Sequence, residues 1–192
     1  MHIPERWDST DYLASGSPRQ QAAHAALEGA GIMQTLAPWH PVLAGTIPLG
    51  IDVEGSDLDI LCQVEEDGPF LARLQEAFGH LPGFHVRQKQ VGLLPTVIAR
   101  FETGGFLVEV FGQNRPVAEQ NGYRHMLVEA RLLLLAGPEA ARAIRELKAG
   151  GLKTEPAFAR YFGLPGDPYQ ALLDLYDASE EELRQIVEAR PR

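Results

Sequence analysis

Gly45-Thr46-Ile47-Pro48-Leu49-Gly50-Ile51-Asp52-Val53-Glu54-Gly55-Ser56-Asp57-Leu58-Asp59-Ile60 is the stretch that decides how this chain folds. It follows a short apolar run, Val42-Leu43-Ala44, and ends in an alternation of acids and aliphatics that continues to Cys62. A period of two reads as a β-strand over Asp57–Cys62, with Asp57 and Asp59 on one face and Leu58 and Ile60 on the other. At a rise of roughly 3.3 Å per residue the two carboxylates stand about 7 Å apart, and they repel unless a cation lies between them. Hard oxygen ligands of this kind suit Mg2+ or Mn2+. The Gly45-Thr46 turn adds an anion-binding element. Glycine lets backbone amides approach a phosphate closely, and the Thr46 hydroxyl supplies one more donor.

Working outward, a third acid is expected from a neighbouring strand. Glu109 fits, because it interrupts the apolar run Phe106-Leu107-Val108-Glu109-Val110-Phe111, where an unpartnered acid is costly to bury. Its face is shared by Leu107 and Phe111. An Asp-x-Asp pair alone also suits a solvated strand edge, and Glu109 alone suits the open face of an antiparallel sheet. The combination with the glycine-hydroxyl turn is what points to metal.

The remaining elements give an α+β chain with a mixed sheet in the first half and helices in the second. Residues 1–16 read as polar and irregular, and Ser17 with Pro18 opens a helix carrying Ala22, Ala23, Ala26, Leu27 and Ala30 on one face. Ile32, Met33 and Leu36 continue helical spacing beyond Gly31. A helix is expected over Asp67–Phe78, and strands over Phe84–Val91, Thr96–Phe101 and Phe106–Phe111, the last two joined by a hairpin at Glu102-Thr103-Gly104-Gly105. Val117–Ala136 reads as one helix, stopped by Gly137-Pro138, and the next runs to about Leu147. Further helices are expected at Glu155–Phe162, Pro168–Tyr176 and Ser179–Ala189, with a capping box from Ser179 to Glu182. Residues 1–115 thus form a core with an N-terminal helix, and 116–192 a helical region packed on it.

Composition narrows the function classes. The 192 residues are 45% hydrophobic and 22% charged, ordinary globular usage, with a net charge of −9. That charge disfavours nonspecific nucleic acid binding. No run is long and apolar enough to cross a membrane, and Met1–Asp8 lacks the order of a secretory signal, so a cytoplasmic protein is expected. Cys62 is the single cysteine and makes no internal bridge.

The turn, the Asp57-Leu58-Asp59-Ile60 element and Glu109 together resemble the DNA polymerase beta-like nucleotidyltransferase superfamily, with Thr46 in place of the usual serine. Over nearly the whole chain, from about Tyr12 to about Leu175, the sequence looks like the bacterial DUF4269 family. The resemblance is carried by Leu43–Asp59, Glu109-Val110-Phe111-Gly112-Gln113, Gln120–Met126 and Gly151–Phe158. It implies a nucleotidyltransferase-type sheet and a two-metal mechanism in which Asp57, Asp59 and Glu109 hold the ions against a nucleoside triphosphate. A nucleoside monophosphate would pass to an acceptor, a small molecule or protein rather than a long nucleic acid. The alternative is a non-catalytic nucleotide-binding regulatory module on the same fold. A metal-dependent phosphohydrolase is less well matched, since no histidine lies near Asp57 in sequence.

Ser56, Lys153 and Arg124 complete the expected nucleotide contacts. Lys153 follows a Gly-Gly turn, with Thr154 as a cap for the next helix, and is placed to reach the β or γ phosphate. Arg124 can hold a phosphate and Tyr123 can stack on a base. His125 and Glu129, four residues apart, share one helix face. The same helix can equally pack on the sheet with its Arg and His tips in solvent. Asp52 and Glu54 read as solvated loop residues. Arg100 can pair with an acid or meet phosphate if its strand adjoins the one carrying Glu109, and sequence does not give the register.

Overall fold

The computed structural model describes residues 7–191, so most of the N-terminal stretch read for a secretory signal lies outside the described part. Among the described residues no helix is long and apolar enough to cross a membrane. Five strands form one sheet: β1 (Val42–Ala44), β2 (Leu58–Gln63), β3 (His85–Val91), β4 (Leu94–Thr103) and β5 (Phe106–Gln113). Their spatial order is β1-β2-β5-β4-β3. β2 and β5 run parallel and every other pair is antiparallel, which makes the sheet mixed as expected.

Alternation along the strands separates two faces. Leu58, Ile60 and Cys62 of β2, Val97, Ala99 and Phe101 of β4, and Phe106, Val108 and Val110 of β5 point into one apolar cluster. Helices α1 (Pro18–Gly29), α2 (Ile32–Leu36) and α3 (Asp67–Phe78) cover it. α3 lays Phe70, Leu74 and Phe78 on the sheet at a spacing of four, and Phe78 stacks on Phe101 with centroids 4.7 Å apart. Phe70 fits because Gly112 lacks a side chain; a Cβ there would lie 2.5 Å from its ring.

The second half supplies α4 (Asn121–Ala136), α5 (Pro138–Ala149), α6 (Thr154–Phe162), α7 (Pro168–Asp174) and α8 (Glu180–Ala189). They enclose a second cluster around Leu132, Leu133, Ile144, Phe158 and Leu183, which reaches the sheet through Ala44 and Leu61. This helical layer covers the β1–β2 end of the other sheet face. The loop from Gly45 to Asp57 is pinned between the clusters. Ile47 enters the first, and Leu49 and Ile51 enter the second.

Local chemistry explains the helix starts. Ser17 and Gln20 form a capping box, with Gln20 N donating to Ser17 Oγ at 3.2 Å and Ser17 N to Gln20 Oε1 at 2.9 Å. The buried Gln20 amide also donates from Nε2 to Ile47 O at 2.9 Å, tying α1 to the loop. Ser179 and Glu182 form the expected second box. Several boundaries differ from the sequence reading. A 3-10 turn at Asp11–Ser15 buries Leu13 where irregular chain is expected. Val117–Ala136 is not one helix: Gln120 is extended and splits a 3-10 turn from α4. Its side chain is committed elsewhere, with Nε2 donating to Cys62 O at 2.9 Å. Thr154 does not cap α6 but is its first residue, after Lys153. α7 ends at Asp174, short of Tyr176.

The β4–β5 hairpin turns on Gly104 and Gly105, both with positive φ (55° and 78°), as a two-residue turn that matches strand twist requires. Gly104 also touches α1: a Cβ there would lie 2.5 Å from Ala26 Cβ, whereas one on Gly105 meets nothing within 4 Å. Gly104→Ala therefore combines backbone strain with overpacking and is expected to cost about 2–4 kcal/mol in denaturant unfolding. Gly105→Ala carries strain alone, about 1 kcal/mol. Equal costs would show that the contact with α1 is immaterial.

Candidate functional site

The uncovered part of the second sheet face is the floor of a cleft of about 1210 Å3. Register places the charges there. Asp59 of β2 lies beside Glu109 of β5, and Glu109 lies beside Arg100 of β4, so the three occupy one row across three strands. Asp57 stands just before β2 rather than within it and also lines the cleft. Gly45, Thr46 and Ser56 form the adjoining rim.

The rim is built by the loop's own hydrogen bonds. Ile51 N donates to Thr46 O at 3.1 Å, Val53 N to Ser56 Oγ at 3.0 Å, and Thr46 Oγ1 to Ser56 Oγ at 3.4 Å. Two α5 cations hold the loop from the helical side: Arg145 Nη1 donates to Gly50 O at 2.7 Å and Lys148 Nζ to Ile51 O at 3.0 Å. Gly45 has φ +82°, and a Cβ on it would lie 2.5 Å from Asp59 Oδ2. The missing side chain is thus the space the carboxylate uses.

Asp59 is the most perturbed acid of the row. Burial pushes its carboxyl up to about 7, with the charges of Asp57, Glu109 and Glu155 adding to the effect and Arg100 opposing it. Glu109 is partnered: its Oε2 accepts from Arg100 Nε in a part-buried ion pair. Among the described residues no three histidine, cysteine, aspartate or glutamate side chains gather tightly enough to hold an ion unaided. The pairing of Glu109 with Arg100 gives a physical reason. As a donor set the acids still suit a hard divalent cation. Asp59 and Asp57 face the same space, and the repulsion that raises Asp59 is what a cation relieves. Glu109 lines the same cleft, with Oε2 engaged by Arg100.

The opposite wall comes from the helices. His125 and Glu129 of α4, Lys148 of α5 and Glu155 of α6 all line the cleft. His125 and Glu129 share one face as expected, but they are buried (8% and 3% exposed) rather than tipped into solvent. His125 Nδ1 lies 3.4 Å from Glu155 Oε1, and its Nε2 lies 3.0 Å from Tyr169 O. Burial works against the Glu155 charge, but the hydrogen bonds from His125 and from its own backbone, with the charges of His125 and Lys153, hold its carboxyl below the usual range. Glu129 shifts the other way. Burial pushes it up to about 8, helped by the Glu155 charge and opposed by Lys148. Burial also lowers the Lys148 ammonium.

Three residues expected to contact nucleotide are not among the cleft lining. Arg124 is outside the cleft lining: its guanidinium sits over the Tyr176 ring, 4.2 Å from the centroid, with Nε buried and unpartnered. Tyr123, also outside the lining, packs half-buried against the helical cluster. Lys153 is an exposed residue at the start of α6, and the cleft-lining lysine is Lys148. Lys148 had a legible signal, because it continues the buried stripe of Ala140 and Ile144 at a spacing of four. Glu155 gave none beyond its first-turn place in α6. Asp52 is half-exposed and Glu54 exposed, as expected of the loop.

No curated protein matches the chain. Solved structures do. Cid1, described for its RNA terminal uridylyl transferase activity, has a TM-score of 0.56 at 13% identity, over 81% of this chain and 52% of its own. A mutant of Cid1 poly(U) polymerase bound to MgATP has a TM-score of 0.53 at 13% identity, over 85% of this chain and 53% of its own. A cytoplasmic RNA terminal U-transferase has a TM-score of 0.51 at 13% identity, over 82% of this chain and 46% of its own. The chain spans about half the length of these proteins, and at this identity the likeness is one of fold: a nucleotidyltransferase-like sheet with flanking helices. In sequence, residues 25–175 match the family described as "Domain of unknown function (DUF4269)", and the chain belongs to that family.

Proposed function

We propose that the protein is a nucleotidyltransferase that moves a nucleoside monophosphate from a nucleoside triphosphate to a small acceptor. The observation that carries the reading is the juxtaposition of Asp59 and Glu109 on parallel neighbouring strands, with Asp57 and the Gly45-Thr46 rim facing the same cleft. The fold shared with transferases solved with MgATP and MgGTP supports it. The cleft and the acidic balance suit an enzyme acting on small molecules rather than on polyanions. Residues 1–115 would form the catalytic core and 116–192 the helical region that completes the cleft.

In this scheme Gly45, Thr46 and Ser56 hold phosphate oxygens, through backbone amides at the tight turn and the two hydroxyls. Asp57 and Asp59 would hold Mg2+ or Mn2+, with Glu109 as third ligand once released from Arg100. Bound there, a divalent ion stabilises charge on the entering and leaving oxygens. Arg100, freed in the same exchange, would be available as a cation for phosphate. The acceptor oxygen gains a bond to the α-phosphorus and its proton is released to solvent. The bond from that phosphorus to the bridging oxygen breaks, its electron pair leaving on pyrophosphate. Lys148, already turned to the loop at Ile51, is a cation of the helical wall that lines the same cleft.

Asp57→Ala and Glu109→Ala are each expected to lower Mg2+-dependent pyrophosphate release at least 100-fold, with circular dichroism unchanged. Full turnover in either variant would remove that residue from the mechanism.

A second reading, nucleotide binding without transfer, draws on the Arg100–Glu109 pair, which neutralises the third acid. Arg100→Gln separates the two. If Glu109 is a ligand held back by arginine, Mg2+ affinity measured by calorimetry rises several-fold in the variant. An unchanged affinity makes Glu109 a structural partner of Arg100 and favours the binding module.

The raised carboxyls fix the pH response of the metal-free protein. An acid that ionises near 4 unfolded and near 7 or 8 folded binds its proton more readily in the native state. Stability is therefore greatest at the acid end of this window and falls as pH rises through 7 and 8. In chelator, the melting temperature is expected to be about 4 °C or more lower at pH 8 than at pH 5.5. Asp59→Asn should raise it at pH 8 and flatten the slope. A melting temperature that climbs with pH would contradict the burial of these acids.

A further inference from the structure

The helical wall of the cleft carries a charge imbalance that the phosphate-transfer scheme does not use. Glu129 is 3% exposed, lines the cleft, and has neither a hydrogen bond nor an ion pair among the described residues. A buried carboxylate without a donor is costly, and native structures provide a partner, a proton or a ligand for such a group. Glu155 faces the same space and keeps its charge through His125. The cations nearby have other partners as well: Lys148 Nζ gives one of its three N–H bonds to Ile51 O while its charge acts on Glu129, and the His125 ring nitrogens face Glu155 and Tyr169 O. Asp167, also on the lining, caps α7 by accepting from Gln170 N at 2.9 Å. The wall thus presents the Glu129 and Glu155 carboxylates to the cleft.

We propose that Glu129 and Glu155 form the acceptor subsite of the cleft and bind a small molecule through a protonated amine. This rests on the nucleotidyltransferase reading for the word acceptor, while the binding itself does not. Four further observations favour the class. The cleft, at about 1210 Å3, exceeds the roughly 300–1,000 Å3 of a pocket for one drug-sized ligand, which leaves room for a second substrate beside a nucleotide. Glu155 is close enough to Asp59 for its charge to act there, so a molecule held at Glu155 lies within reach of the phosphate-binding side. Tyr169, 38% exposed on the lining, offers a ring along which the apolar part of an amine can lie. The chain's net charge of −9 adds attraction for cations and repulsion for polyanions.

Proton linkage gives the subsite a distinctive signature. The groups facing Glu129 are Lys148 from α5 and Glu155 from α6, with His125 on α4 itself and Tyr169 of α7 beyond Glu155. Free Glu129 holds a proton below about 8, and a cation beside it favours the ionised form. Binding an amine therefore releases a proton, and affinity grows as pH rises toward 8.

The test uses the full chain, free of nucleotide and metal, with 1,4-diaminobutane against neutral 1,4-butanediol as probes in calorimetry at pH 6.5 and 8. Diamine affinity is expected to exceed diol affinity at least tenfold, to rise with pH, and to show buffer-dependent heat from proton release. Glu129→Gln and Glu155→Gln should each weaken it at least tenfold, and Glu129→Gln should abolish the proton release. Thermal melts confirm that both variants are folded. Equal binding of diamine and diol, or diamine binding lost in Asp59→Asn but kept in both glutamine variants, overturns the subsite. Transfer of nucleotide to an RNA end together with failure of the diamine to bind also overturns it, while leaving the transferase reading intact. Amine binding at Glu129 with no pyrophosphate release for any amino alcohol supports the subsite and counts against the transferase reading.

Discussion

Parallel pairing of β2 with β5 sets Asp59 directly beside Glu109, and antiparallel β4 adds Arg100 to the same row. Three charges in adjacent positions on a half-covered face need mutual compensation, because each is partly removed from water. Arg100 supplies one cation for two acids and spends it on Glu109. Asp59 is left with burial and like-charge repulsion, which together raise its carboxyl. The chemistry proposed for the cleft follows from that unequal division, since the acid without a counterion is the one that gains most from a divalent ion.

The loop from Gly45 to Asp57 translates this electrostatic need into shape. Alternate aliphatics send it into two separate apolar clusters, Ile47 one way and Leu49 and Ile51 the other. Gln20 fastens it from α1, and Arg145 and Lys148 fasten it from α5. A loop held at both ends and in its middle presents its amides and hydroxyls in a fixed arrangement, which lowers the ordering cost of binding an anion. It also makes the sheet and the helical layer share a wall, so that one cleft is lined by both.

The sheet was legible because its strands carry period-two alternation and its hairpin carries two glycines, and α3 was legible because its apolar residues recur every four. The cleft acids were legible for the same reason, Asp59 by alternation and Glu109 by its intrusion into an apolar strand. What sequence withheld was register and side-chain commitment. Nothing local says that Arg100 lies opposite Glu109, because that depends on how two hairpin strands align. Arg124 and Lys153 looked like phosphate ligands by type and by neighbouring glycine. Their directions are decided by tertiary packing, Arg124 by the Tyr176 ring and Lys153 by the exposed start of α6. Glu155 could not be singled out, since its significance comes from His125 thirty residues earlier.

Gly45 and Asp59 occupy one volume between them: the glycine's missing carbon is where the carboxylate oxygen sits. Sequence drift at either position is therefore constrained by the other, because a side chain at the turn evicts the acid, while loss of the acid empties a space the turn was shaped around. The two positions are thus coupled sterically across the thirteen residues between them, and a Cβ at the turn calls for a smaller side chain on the strand.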